Sequence, residues 1–238
     1  GELAFDPAPG VFGLCHTDSN RHVNSLVYLR LFEEALLRRF AAHGYGATSL
    51  SAIADDVGIR KASLLYHFPS KDELHARVLD QILEHWNRAL PRLLEAAAGE
   101  DRFDELLRET VDFFVEDPDR ARLILRETLD RPDVMRARLE TAVAPWMKVI
   151  ASYIERGQET GELRADADPR AYLLHVVNLV VGGIAIADTL GVVLTDDGRV
   201  EDTARIVREL ERVAKVSLFT DEGLERLEAR RALRRAGS

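Results

Sequence analysis

Residues 44–74 read GYGATSLSAIADDVGIRKASLLYHFPSKDEL, and the rest of the chain is organised around them. Thr48 and Ser49 are helix-capping residue types. The helix they open carries Leu50, Ile53, Ala54 and Val57 at i, i+3, i+4 and i+7, a single apolar face. Gly58 ends it, because a residue without Cβ accepts the left-handed conformation that reverses the chain. A second short helix is expected from about Lys61 to His67, with Leu64 and Phe68 turned inward and Pro69 stopping it. Ser70 and Glu73 form an S-x-x-E capping box that opens a third helix. Helix, glycine turn, helix is the helix-turn-helix pattern.

The residues left facing outward suit DNA. A recognition helix needs a narrow waist to enter the major groove and donors near its start to reach base edges. Ala62 and Ser63 supply the waist, and Arg60 and Lys61 the donors. Tyr66, His67 and Lys71 follow where phosphate contacts are expected, Lys71 in the first turn of a helix whose free N–H groups favour an anion. Thr48, Ser49 and Ser51, at the start of the preceding helix, complete the candidate DNA-binding set. A helical hairpin that merely packs would share the bare geometry. The cap, the glycine, the Tyr66-His67-Phe68 run and Lys71 taken together favour DNA.

From about Phe32 to Leu79 the chain resembles the N-terminal domain of the TetR/AcrR family of bacterial transcriptional repressors. The resemblance is carried by Phe40, Gly44, Tyr45, Thr48, Ile53, Ala54, Gly58, Ser63, Leu64, Tyr66, His67, Phe68, Lys71 and Leu74. It implies a homodimer, an all-helical C-terminal domain, and a small ligand that releases DNA through movement of the helix joining the domains. Three positions depart from the pattern. Arg60 stands where many members have a capping Ser or Thr, Leu65 where many have Tyr, and Glu33 where Leu is usual; Glu33 is read as pointing to solvent.

At 238 residues, 46% apolar and 31% charged, the chain has room for a sizeable core and an ordinary globular composition. The single cysteine, Cys15, allows no disulfide within the chain and fits a reducing cytoplasm. No basic segment followed by an apolar run marks a signal peptide at the start. The net charge of −9 is unevenly spread. Residues 25–75 carry six basic and six acidic groups, whereas residues 76–238 carry 25 and 32, so the acidic body would be held away from DNA.

Residues 1–23 read as an irregular extension. The stretch from His16 to Ala35 resembles the start of the central helix of hotdog-fold acyl thioesterases, with Asp18, Asn20, His22, Val23, Asn24 and Tyr28 in place. That resemblance implies an acidic base or nucleophile and a β-sheet, yet everything after Ala35 reads helical. A thioesterase, or a remnant of one fused to a regulator, is the alternative. His16, Asp18 and His22 match no strong metal template, and neither metal nor cofactor is expected. No catalytic residue is assigned.

The expected order is a first helix from Asn24 to His43 with the stripe Leu29, Phe32, Leu36, Phe40, then one from Lys71 to about Ala98 kinked at Pro91. Four or five more helices span 101–217. They are Asp101–Val115, then Pro118–Leu129 capped by Asp117, then Pro132–Thr160 broken or kinked at Pro145. A helix opened by Asp168-Pro169 and bounded by Gly191 and Asp196–Gly198 follows, and last Val200–Leu218. Val192–Leu194 is a possible extended piece, and the charged tail from Asp221 is expected to fray. The apolar run Leu173–Leu194 contains His175, Asn178 and Asp188, which argue against a membrane span and for a helix buried between subunits. Phe113, Phe114, Trp146, Met147, Tyr153, His175 and Asn178 form the candidate ligand set, suited to a small, mainly apolar molecule.

The reading is therefore an all-α chain. Residues 24–75 form a helix-turn-helix DNA-binding domain, 76–220 a helical ligand-binding and dimerisation domain, and 221–238 a charged tail. Its partners are double-stranded operator DNA, a second copy of the chain and a small effector, with no membrane.

Overall fold

The computed structural model describes residues 25–96, 102–194 and 201–236. Among them α-helix is the regular structure, apart from one isolated antiparallel bridge between Leu163 and Phe219. The five-stranded sheet that a thioesterase would need is absent from the described residues, and His16–Asn24 lie outside them. The contacts divide the chain into two compact units, 1–81 and 82–238.

The first unit holds α1 (Ser25–Ala47), α2 (Leu50–Val57), α3 (Lys61–His67) and the start of α4 (Lys71–Ala96). Phe32, Leu36 and Phe40 of α1 are buried with Ile53, Leu64, Leu74 and Leu79; the side chain of Leu29 lies outside the described residues. Helical hydrogen bonding runs past the expected end at His43, but Gly44 interrupts it with φ 74°. Ser49 caps α2 by accepting the Ala52 N–H at 3.1 Å. Gly58 closes it in the left-handed region, φ 72°, its N–H turned back to the Ala54 and Asp55 carbonyls. In the Ser70–Glu73 box, the Ser70 hydroxyl accepts the Glu73 N–H at 3.1 Å. Glu33 does not point to solvent: it is 8% exposed and accepts from Arg77 Nε at 3.1 Å and Gln81 Nε2 at 2.8 Å. An ionised carboxylate can be covered here because two donors on α4 replace its water.

The second unit continues through α5 (Arg102–Glu116), α6 (Pro118–Asp130), α7 (Pro132–Ala142), α8 (Ala144–Glu159), α9 (Pro169–Ala185), α10 (Ala187–Leu194), α11 (Glu201–Leu218) and α12 (Asp221–Ala236). Asp117 and Asp168 cap α6 and α9 through backbone N–H groups, each with proline in the first turn. Four expectations are corrected. The Pro132–Thr160 helix breaks at Val143 rather than at Pro145, because a proline is tolerated in the first turn of a helix and disrupts the turn before it. The helix after Asp168 also breaks, at Ile186, where Arg122 donates to the Ala185 carbonyl at 3.3 Å and pairs with Asp119 and Asp188. Val192–Leu194 is helical, as the end of α10.

The tail does not fray in the described residues. Leu227 of α12, 2% exposed, packs with Ile154, Leu163, Tyr172, Leu218 and Phe219. Thr220 opens α12 by accepting the Gly223 N–H at 3.0 Å. A helix needs one apolar stripe to dock, and Leu224 and Leu227, three apart, provide it within an otherwise charged segment.

Candidate functional site

The outer side of α3 is the candidate nucleic-acid interface. Leu64 is fully buried and anchors the helix, while Arg60, Lys61, Ala62, Ser63 and Leu65 are exposed and Tyr66 stands 84% exposed. Arg60 occupies the N-cap position, where a guanidinium, a donor only, cannot accept the first helix N–H groups, so α3 starts without a side-chain cap. Ser49 and Ser51 are exposed on the adjoining start of α2. His67 closes α3, its side chain outside the described residues.

Two members of the candidate set are turned inward. Thr48 is 2% exposed and donates its hydroxyl to the Gly44 carbonyl at 2.8 Å, bridging the end of α1 to the start of α2. Lys71 donates to the Tyr45 carbonyl at 2.9 Å and the Thr48 carbonyl at 3.0 Å, with its ammonium 4.1 Å from the centre of the Tyr45 ring. Tyr45 in turn donates to Asp72 at 2.7 Å and packs edge-on to the buried His75 ring. Lys71 thus ties the α1–α2 connection to the first turn of α4. No spacing rule links Tyr45 to Lys71, so the clasp was not legible in the sequence.

The second unit holds a cavity of about 560 Å³, open on one side, lined from α4, α5, α6, α7, α8, α9 and the end of α11. Phe114, Trp146, Met147 and Tyr153 line it, together with Trp86, which sequence reasoning missed. Trp146 donates its indole N–H to Asn87 at 2.9 Å. Tyr172 donates to the Ala214 carbonyl at 2.8 Å, and burial pushes its phenol well above the ordinary tyrosine range. Phe113 is buried beside the cavity instead of lining it, stacked on His85 at 4.1 Å with the Arg120 guanidinium 4.4 Å from its ring centre. His175 and Asn178 are exposed on α9 and do not reach the cavity, because its α9 wall is Tyr172, Leu173, Val176, Val177 and Val181 and the helical period puts 175 and 178 on another side. The His85 Nε2 sits 3.3 Å from Glu109; burial holds the imidazole below its ordinary 6.5, Glu109 opposes this, and Arg120 and Arg88 reinforce it.

A helix-turn-helix unit joined to a helical body with a cavity has relatives. Residues 34–78 match the family model described as bacterial regulatory proteins, tetR family, and residues 100–211 match the tetracyclin repressor-like C-terminal domain. The chain belongs to the TetR family.

Relatives within the family include the transcriptional regulator RutR of Escherichia coli, 30% identical over 128 residues that cover 52% of this chain and 60% of RutR. The regulator TtgR of Pseudomonas putida is 28% identical over 172 residues, covering 66% of this chain and 80% of TtgR. The chain thus spans about three-fifths of the length of the RutR relatives it matches. Among solved structures, the ketosteroid transcriptional regulator KstR2 of Mycobacterium tuberculosis superposes with a TM-score of 0.65 at 17% identity, covering 84% of this chain and 98% of that one. AibR, solved with isovaleryl coenzyme A and operator DNA, gives a TM-score of 0.61 at 19% identity over 77% of this chain and 95% of that one. Both share the fold. No helix among the described residues is long and apolar enough to cross a membrane.

Proposed function

We propose that this chain is a TetR-type transcriptional repressor that binds a near-palindromic operator as a homodimer and responds to a small, mainly apolar ligand. The observation that carries the reading is α3, anchored by buried Leu64 and presenting Arg60, Lys61, Ser63 and Tyr66 outward from a capped helix-turn-helix. In this reading residues 24–75 bind DNA and residues 76–220 sense and dimerise, with α12 packed onto the body. Its role is binding, not catalysis, and operator binding puts it in the cytoplasm.

The dimer surface is assigned to α9–α10 and α11. Leu179, Ile186 and Leu190 are exposed on the first pair and Val213 and Val216 on the other. A Cβ added at Gly182 would meet nothing within 4 Å, so this stripe leaves room for a second helix to approach closely.

Fluorescence anisotropy with DNA from upstream of the chain's own gene, against a scrambled duplex and at several salt concentrations, tests the reading. Specific binding is expected, with log K falling linearly in log salt. The double change Lys61→Ala, Tyr66→Ala should abolish the preference for the operator; undiminished specific binding by this variant would overturn the α3 assignment.

A further inference from the structure

Polarity is unevenly spread over the cavity wall. Its charged residues, Arg156 and Glu162, fall with Thr160 at the end of α8 and in the turn after it. That turn folds back on the helix. Gly161 adopts φ 74°, and the Glu162 and Leu163 N–H groups donate to the Gly157 carbonyl at 3.1 and 3.0 Å. Arg156 and Glu162 are thereby brought to one end of the cavity. Arg156 and Thr160 are exposed, so this end meets solvent. Tyr153, one turn before Arg156, joins it, with the guanidinium 4.3 Å from its ring centre.

Away from this end the polar groups are spent inside the protein. Thr110 donates its hydroxyl to the Leu106 carbonyl at 2.7 Å, Trp146 its indole N–H to Asn87, and Tyr172 its phenol to the Ala214 carbonyl. The rest of the wall there is aliphatic, aromatic or thioether. A charge placed among these groups would lose its water and meet no charged partner in exchange. At the solvent end the two signs balance, one guanidinium against one carboxylate, so neither an anion nor a cation gains a net attraction. A guanidinium only donates and a carboxylate only accepts, so the pair suits a head group that does both.

We infer that the effector is an uncharged amphiphile, its apolar body in the cavity and its head, a hydroxyl or a primary amide, between Arg156 and Glu162. This rests on the proposed ligand-responsive reading and names the ligand class for it.

Trp86 and Trp146, the chain's two tryptophans, both line the cavity, so intrinsic emission reports its occupancy. Full-length protein is titrated with decanol, decanamide, decanoate and decylammonium below their micellar concentrations, at about pH 7.5, where the last two are charged. The tighter of the two neutral probes should bind about ten-fold or more tightly than either ion, and it names the head group. Glu162→Gln should strengthen decanoate about three-fold and weaken decylammonium, and Arg156→Gln should do the reverse. Opposite shifts of this kind cannot come from a folding defect, which would weaken all four probes alike. An ion that binds as tightly as the neutral probes overturns the inference, as do variants that leave both ion affinities unchanged or the absence of any emission change. Operator anisotropy on the natural chain separates the two levels. Intact specific DNA binding with an ion preferred sinks the ligand class alone, whereas no specific DNA binding sinks the regulator reading.

Discussion

At Lys71 the ammonium donates to two backbone carbonyls and covers the Tyr45 ring, so its charge is engaged before any DNA arrives. Hydrogen bonds from a charged donor contribute about 1.5–3 kcal/mol. Lys71→Met should therefore lower unfolding stability by about 2 kcal/mol in urea titration. It should leave the slope of log K against log salt unchanged, because no phosphate contact is lost. Lys61→Ala should do the opposite, keeping stability and reducing that slope by about 1. A reduced slope in Lys71→Met would restore Lys71 to the phosphate-contacting set. The His85 imidazole supplies a second test at this scale. Its folded value lies below 6.5, so between the two values the unfolded chain binds more protons. The stability from neutral His85 is complete above 6.5 and is lost as pH falls through the folded value. Nuclear magnetic resonance titration should place His85 below its ordinary range, and Glu109→Gln should move it further down, since Glu109 raises it.

Among the elements, α12 shows how little sequence is needed to dock a helix. Leu227 is nearly inaccessible, and a buried leucine truncated to alanine costs about 2–5 kcal/mol. Leu227→Ala should lower the melting temperature by that measure, whereas a fraying tail would register nothing. Gly223 sharpens the same point: a Cβ there would stand 2.2 Å from the Glu162 carbonyl oxygen, a backbone atom. At Gly157 the corresponding contacts, 2.6 and 2.7 Å, are with Cδ1 and Cγ of Leu163, side-chain rather than backbone atoms. Thermal melts should therefore rank Gly223→Ala as more damaging than Gly157→Ala. The α7–α8 break belongs at this scale too. Pro145 marked a discontinuity in the sequence, but its tolerance for the first turn of a helix moves the break two residues back, to Val143.

For the whole molecule, the proposed assembly makes the strongest demand. If α9–α10 and α11 form the subunit interface, Leu179→Glu with Ile186→Glu should convert a dimer to a monomer in sedimentation. Both residues are already exposed in the single chain, so helicity should be preserved. Operator affinity should fall by orders of magnitude, because two half-sites would no longer be held by one particle. A variant that stays dimeric would move the interface elsewhere.

Whatever local rules encode could be read from the residues alone. The all-α class followed from apolar periodicity. The edges of α2 and α3 followed from Ser49, Gly58 and Pro69, and the starts of α6 and α9 from Asp117-Pro118 and Asp168-Pro169, since capping acts over three or four residues. The outward set Arg60, Lys61, Ser63 and Tyr66 was legible for the same reason: once Leu64 is placed inward, a short helix has only one other side. Tertiary packing settled the positions that needed long-range partners. Thr48 and Lys71 turned inward because Gly44 and Tyr45 offered carbonyls, Glu33 was covered because Arg77 and Gln81 reached it, and α12 was ordered by a cluster drawn from four other segments. The cavity likewise drew Phe114, Trp146, Met147 and Tyr153 together while leaving His175 and Asn178 outside. Helical spacing tells which residues share a side, but only packing says which side faces inward.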